Sequence, residues 1–457
     1  MNNDLKRRVA EGPLTKFQLF AVGVCVCLNM LDGFDILAMS FAASGVKTDW
    51  HLGNSQLGYL FSAGLVGMGI GSLTIAPWAD RFGRRPIVLL SAAIAGLSMV
   101  GSAIAPGFVP LLALRVFTGI GIGGTIASVA VLVSEYAPDR WRSVALAIYA
   151  TGYSIGAALG GVLTALAVQR FGWRSAFAIG GVLSLAVIPV GWRRLPESLD
   201  FLLTRRPESA LRRVNDLLAA MGQAALRVLP EFETTIPDAQ AAHGAIGLLI
   251  TRTTLLAWFA FFCTMAGFYF IMSWTPRLLT AAGLSADQGL TGGILLSVGG
   301  IIGCGLYAWA ASRVNARLLL TIALLTTALL ISAFGLSMSN LTAALWTALF
   351  LGMIANGAMA GLYTVGPTLY PTPVRATGMG STIGIGRFGA ILAPIVSGAL
   401  LDSGWTPAHL YVWFAIPYVL AALAMVGIKI CGSAWDNPPV RTLDQESVNE
   451  NISRFGH

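Results

Sequence analysis

Apolar stretches long enough to cross a bilayer recur along the whole of this 457-residue chain. That recurrence limits the fold more than any single motif does. A helix needs about 20 apolar residues to cross a hydrocarbon core of about 30 Å. Such runs fall at 17–43, 55–79, 86–105, 108–134, 143–168, 175–192, 253–275, 288–311, 316–337, 341–366, 378–401 and 409–431. A soluble chain carries about 25% charged residues; here 11% are charged and 56% hydrophobic. Inside lipid each run must close its own backbone hydrogen bonds, which a helix does. The sequence predicts an all-α membrane protein with twelve transmembrane helices.

Charge then sets orientation. Arg115 and Arg387 lie inside spans, and Lys47, Arg170, Arg174 and Arg277 fall on the outer side. The other 23 of the 29 Lys and Arg residues fall on the side of the two termini. Basic loops stay inside, so both termini are expected in the cytoplasm. The net charge of +8 follows from that bias and does not point to nucleic acid. The basic start (Lys6, Arg7, Arg8, Lys16) precedes a run too long for a signal peptide, so the first run is read as a retained helix. Cys25, Cys27, Cys263, Cys304 and Cys431 lack ligand spacing, and neither a disulfide framework nor a metal site is expected. No phosphate loop, metalloprotease motif or nucleophile–base set appears, and His51, His243, His409 and His457 all lie outside helix cores. These features argue against an enzyme.

The first run contains Asp32 and Asp35 at membrane depth. A charge there costs at least about 2.5–3.5 kcal/mol, so such a residue is a functional candidate. The two share one helical face with Asn29 one turn earlier. Gly33 and Gly45 leave room for close helix contact. Depth arithmetic links this run to the fourth. Asp32 stands about 22 Å above the inner end and Arg115 about 20 Å, so they can share a level. Asp32, Asp35 and Arg115 are therefore candidates for proton coupling, with a static ion pair as the plainer reading.

The second run is rich in glycine (Gly58, Gly64, Gly67, Gly71) and ends at Asp80-Arg81-Phe82-Gly83-Arg84-Arg85-Pro86. This short loop resembles the signature of the major facilitator superfamily between its second and third helices, although the usual small residue four before the aspartate is Ala76. Arg115 through Gly124 resembles another pattern of that superfamily. By its precedent Asp80, Arg81, Gly83, Arg84 and Arg85 form a conformational latch, joined by Glu135, Arg142 and Arg375. Gly152 to Gly161 in the fifth run is similar to the glycine run of proton-driven exporters, but the proline expected after the middle glycine is Ala157, which argues against an exporter.

The second half echoes the first. Tyr370-Pro371-Thr-Pro373-Val-Arg375 matches Tyr136 to Arg142 with one residue fewer, and Gly389 then falls where Gly156 does. Repeated halves with a site between them are a transporter plan. The predicted organisation is an N-terminal six-helix bundle (1–192), a cytoplasmic linker (193–252), a C-terminal bundle (253–431) and a tail (432–457). Pro207 to Leu229 has the apolar spacing of an amphipathic surface helix. Arg387 breaks the repeat symmetry, since it falls where Ser154 does. It stands about 10–12 residues into its helix, near the midplane. A permanently charged planar fork suits a carboxylate, so Arg387 is the expected anchor for an anionic substrate. The alternative is a partner for Asp32 or Asp35. Tyr269, in an aromatic-rich seventh run, can stack on a planar ring. Trp274 suits an interfacial belt. Asn356 and Tyr363 are further cavity candidates, as are Asn29 and Asp35.

The DGFD segment of the first run (Asp32 to Asp35), with Arg375 to Gly380 and Gly386 to Gly389, resembles the aromatic acid:proton symporter branch. That resemblance spans all twelve runs. It implies two pseudo-symmetric six-helix bundles in a bacterial cytoplasmic membrane, acting as a monomer without a cofactor. It also implies that Asp32, Asp35, Arg115, Glu135, Arg375 and Arg387 matter for transport. The expected activity is uptake of a benzoate- or hydroxybenzoate-like anion with protons, the proton being carried at Asp32 or Asp35. The rivals are a symporter of another organic acid (nicotinate, muconate or a shikimate-like acid) and, less favoured, an exporter.

Overall fold

The computed structural model describes residues 12–229, 251–370 and 374–432. Lys6, Arg7, Arg8, the linker from 230 to 250 with His243, Pro371 and Pro373, and the tail from 433 to His457 lie outside the described residues, as does the side chain of Cys431. Among the described residues twelve helices are long and apolar enough to span: Lys16–Trp50, Asn54–Phe82, Arg84–Ala103, Phe108–Tyr136, Asp139–Phe171 and Arg174–Arg194 in the first half. In the second half they are Arg252–Ala281, Ala286–Ala311, Ala316–Ser337, Leu341–Leu369, Thr377–Asp402 and Pro407–Ile428. These are called the first to twelfth spans. The expected runs match them within a few residues except at two ends. The first span continues to Trp50, where nothing after Ala43 stops the helix, and the seventh carries Pro276 within it and runs on to Ala281.

Packing repeats between the halves. The first span lies against the fifth and the second against the fourth; likewise the seventh lies against the eleventh and the eighth against the tenth. Small residues set these approaches. A Cβ on Gly33 would come 1.9 Å from the Tyr153 carbonyl oxygen, and one on Gly156 equally close to that of Met30. Gly389, the repeat partner of Gly156, sits in the same way on the Phe262 carbonyl at 2.2 Å. Gly45 faces the Trp173 side chain at 2.8 Å.

The halves meet through the second span against the eleventh, the fifth against the eighth and the first against the seventh. Their hydrogen bonds cluster toward the loops that follow the first and seventh spans. Ser40 Oγ donates to Ser273 O at 2.7 Å, Ser62 Oγ to Ile391 O at 2.6 Å and Gln169 Nε2 to Asp287 Oδ1 at 2.7 Å. Asp402 accepts the Asn54 and Ser55 amides at 2.9 and 2.8 Å, capping the second span from across the molecule. This is the predicted outer end. Trp274 belongs to the same closure: it is fully buried and stands edge-on to Phe61 at 5.1 Å. The expected interfacial position is thereby corrected, because the seventh span runs past it to Ala281.

Two short helices follow the sixth span, Leu199–Arg205 and Ala210–Ala220. The second is amphipathic, and its Val214 and Leu218 are fully buried in a cluster with Leu202, Tyr136 and Val88. Its apolar face rests on the protein itself, where the sequence suggested the membrane surface.

Candidate functional site

The first span holds both carboxylates in its middle, 16 and 19 residues from its start at Lys16. Their surroundings differ. Arg115 Nη1 and Nη2 grip Asp35 Oδ1 and Oδ2 at 2.5 and 2.8 Å, a two-pronged pair with both side chains 3% exposed. Gly64 makes room for this guanidinium, since a Cβ there would lie 3.0 Å from Nη2. The Phe177 ring covers it at 5.8 Å. Asp32 is buried too, yet its Oδ1 has no hydrogen-bond partner. It lines a cavity of about 30 Å³ inside the first half, beside Asn29, Thr125 and Tyr149. That is about one water's share of liquid volume. The Asn29 amide is engaged elsewhere and donates to Tyr149 O at 2.6 Å.

Arg387 enters from the other half. It is half-buried and makes no hydrogen bond or ion pair among the described residues. It lies within electrostatic range of Asp32, Tyr269 and Tyr363. Tyr153 of the fifth span is within range of Asp32, Asp35, Tyr269 and Tyr363. Asp32 and Tyr153 from one half therefore lie close to groups of the other, Asp32 to an unpaired guanidinium and both to Tyr269 and Tyr363. Tyr363 is 44% exposed and stands edge-on to Phe261. The alternative reading of Arg387, a partner for Asp32 or Asp35, is not what the structure shows: Arg115 occupies Asp35, and Asp32 Oδ1 has no partner. Asn356 sits elsewhere: its amide donates to Gly352 O at 2.9 Å and packs on Gly300, in the contact of the eighth and tenth spans.

The residues expected to form a latch lie at the opposite end from the cross-half bonds. Arg84 pairs with Glu135 and stands 3.6 Å from the largely exposed Asp80. Gly83 turns the chain with φ +102°, and a Cβ there would meet Glu197 Oε2 at 2.5 Å. Glu197 Oε1 accepts the Arg84 amide at 2.7 Å, and Ser198 donates to Glu135 at 3.0 Å. Arg85 donates to Trp192 O, and Arg81 lies over Phe82. Arg142 bonds Asp139 at 2.8 Å and Ser134 O at 3.0 Å, and makes no bond to the Asp80 loop among the described residues. Arg375 Nε reaches Tyr370 O at 3.4 Å. The sequence reading missed Glu197 and Tyr153. Glu197 lies in the linker, outside any motif; Tyr153 stood within the glycine run, at a helical spacing that places it opposite Gly33.

Three comparisons bear on this arrangement. The Major Facilitator Superfamily profile matches residues 24–394. A 4-hydroxybenzoate transporter of Pseudomonas aeruginosa is 32% identical over 427 residues, covering 93% of this chain and 95% of its own. A gallate transporter of Pseudomonas putida is 34% identical over 431 residues, covering 93% and 94%. Among solved structures, the xylose transporter XylE of E. coli superposes with a TM-score of 0.73 at 17% identity, over 90% of this chain and 98% of that one.

Proposed function

This chain belongs to the Major Facilitator Superfamily, and from that premise we propose that it carries an aromatic carboxylate into the cell together with a proton. The observation that bears most weight is the unpaired Arg387 guanidinium within electrostatic range of Asp32, Tyr269 and Tyr363, a set we read as the lining of one chamber between the halves. A carboxylate fills the vacant donor fork, and the tyrosines offer faces and hydroxyls to a hydroxylated ring. Relatives named for 4-hydroxybenzoate and gallate favour such a ring.

Charge balance supplies the coupling. In the empty chamber Asp32, Asp35, Arg115 and Arg387 sum to zero. Substrate adds one negative charge, and a proton on Asp32 cancels it. Both Asp35 oxygens are engaged by Arg115, which leaves Asp32, with its unpartnered Oδ1, as the carboxyl we assign to the coupled proton. Only the empty and the doubly loaded carriers are neutral inside, and neutrality favours reorientation in a low-dielectric setting. With the predicted orientation, the cross-half bonds seal the outer end and the chamber opens inward. The Arg84–Glu135 pair and the Asp80 loop then belong to the cytoplasmic latch in its released form.

The test is uptake by inside-neutral membrane vesicles under an imposed inward proton gradient, with labelled 4-hydroxybenzoate competed by benzoate, gallate, nicotinate and shikimate. Accumulation above equilibrium, inhibited best by the aromatic acids, is expected. Extrusion, or no movement of any aromatic acid, overturns the proposal. Strongest competition by nicotinate or shikimate transfers it to those acids.

A further inference from the structure

Lys47 and Arg277 break the charge bias that otherwise keeps basic residues at the predicted inner end. They come from different halves, Lys47 near the end of the first span and Arg277 near the end of the seventh. The fold brings them to one cavity of about 460 Å³ at the predicted outer mouth, with His51, Ser44, Thr48 and Thr280 in its wall. Neither cation is in an ion pair among the described residues. Lys47 Nζ donates to Asn54 Oδ1 at 2.6 Å, and Arg277 Nη1 donates to Thr280 Oγ1 at 3.1 Å. The buried Arg277 Nε has no partner. The nearest acid in range of Lys47 is Asp402, whose two oxygens are already taken by Asn54 and Ser55. Two like charges held together make a positive pocket with no acid in its lining.

We propose that this cavity is an outer anion site, which captures the carboxylate to be transported while the route beyond it is sealed. It rests on the reading that the cargo is an aromatic carboxylate. Its size falls within the range of small-molecule pockets, about 300–1,000 Å³, and Lys47 and Arg277 would share the carboxylate, the ring lying along the wall. A focused positive field also raises the capture rate of dilute anions and fades with salt. The site is separate from Arg387: it lies on the far side of the cross-half closure formed by Ser40, Ser273 and Trp274.

Two measurements test it. The first compares Lys47→Gln and Arg277→Gln with the parent in proteoliposomes, recording uptake from the outer face and efflux from the inner face. The KM for uptake of 4-hydroxybenzoate rises on the order of tenfold at low salt, the gap narrows at high salt, and the efflux KM is unchanged. A parental KM and salt dependence, or a lower maximal rate alone, overturns the site. The second needs no transport. The chain has four lysines, and Lys6, Lys16 and Lys429 belong to the predicted inner side. A membrane-impermeant amine reagent added outside therefore labels Lys47 alone. Benzoate or inorganic phosphate should slow that labelling several-fold, whereas neutral benzyl alcohol should not. Labelling unaffected by either anion, or absent, overturns the site. Protection by phosphate without any aromatic acid uptake keeps the site and removes the aromatic cargo.

Discussion

Replacing Asp35 by Asn strips a buried guanidinium of its counter-ion. The two contacts, at 2.5 and 2.8 Å, join side chains that are each 3% exposed, so water cannot take over the lost partner. Each charged hydrogen bond contributes about 1.5–3 kcal/mol, and breaking a buried pair from one side costs about 3–5 kcal/mol. For a chain this long each kcal/mol moves the thermal midpoint by about 1 °C, so Asp35→Asn and Arg115→Gln should each lower it by about 3–5 °C. The double variant places two neutral amides face to face and leaves no stranded charge. It should recover at least half of the summed loss, since residues in contact do not act additively. The assay is the temperature at which detergent-solubilised protein leaves its monodisperse peak, with uptake measured on each variant. Additive losses, or single variants as stable as the parent, would refute the reasoning that Arg115 and Asp35 are an energetically coupled pair.

Other outcomes follow from the same geometry. Arg387→Gln removes the carboxylate fork and should raise the uptake KM on the order of 10–100-fold, with Arg387→Lys in between; initial rates across a substrate series decide it. One proton per monovalent carboxylate is electroneutral, so a potassium diffusion potential without a pH gradient should drive no accumulation, and potential-driven uptake would contradict the charge balance. Gly33→Val should yield no monodisperse protein, because its Cβ would sit 1.9 Å from the Tyr153 carbonyl, whereas Gly23→Ala, with nothing within 4 Å, should behave as the parent in size-exclusion chromatography.

Much of the architecture was legible because a bilayer permits few solutions: twelve apolar runs had to become twelve helices. The first helix was read short because Lys47 and Asp49 end the apolar run, yet nothing from Ser44 to Trp50 breaks a helix. The meeting of Arg115 with the first-span carboxylates could be placed by rise per residue, but the choice of Asp35 over Asp32 depended on helix rotation, which a linear count does not give. Trp274 looked like a lipid-interface residue and instead closes the gap between halves, since sequence alone does not say which face of a helix meets the partner bundle. Asn356 is polar at depth for a local reason, bonding its own helix at Gly352. Lys47 and Arg277 were visible only as exceptions to a rule. Their convergence needed both halves folded.

The account stands most directly on Asp32, the buried carboxyl without a donor on Oδ1. In proteoliposomes under an inward proton gradient, Asp32→Asn should still exchange labelled for unlabelled 4-hydroxybenzoate across the membrane, yet lose all accumulation above equilibrium. Accumulation equal to that of the parent would contradict the claim that Asp32 carries the coupled proton.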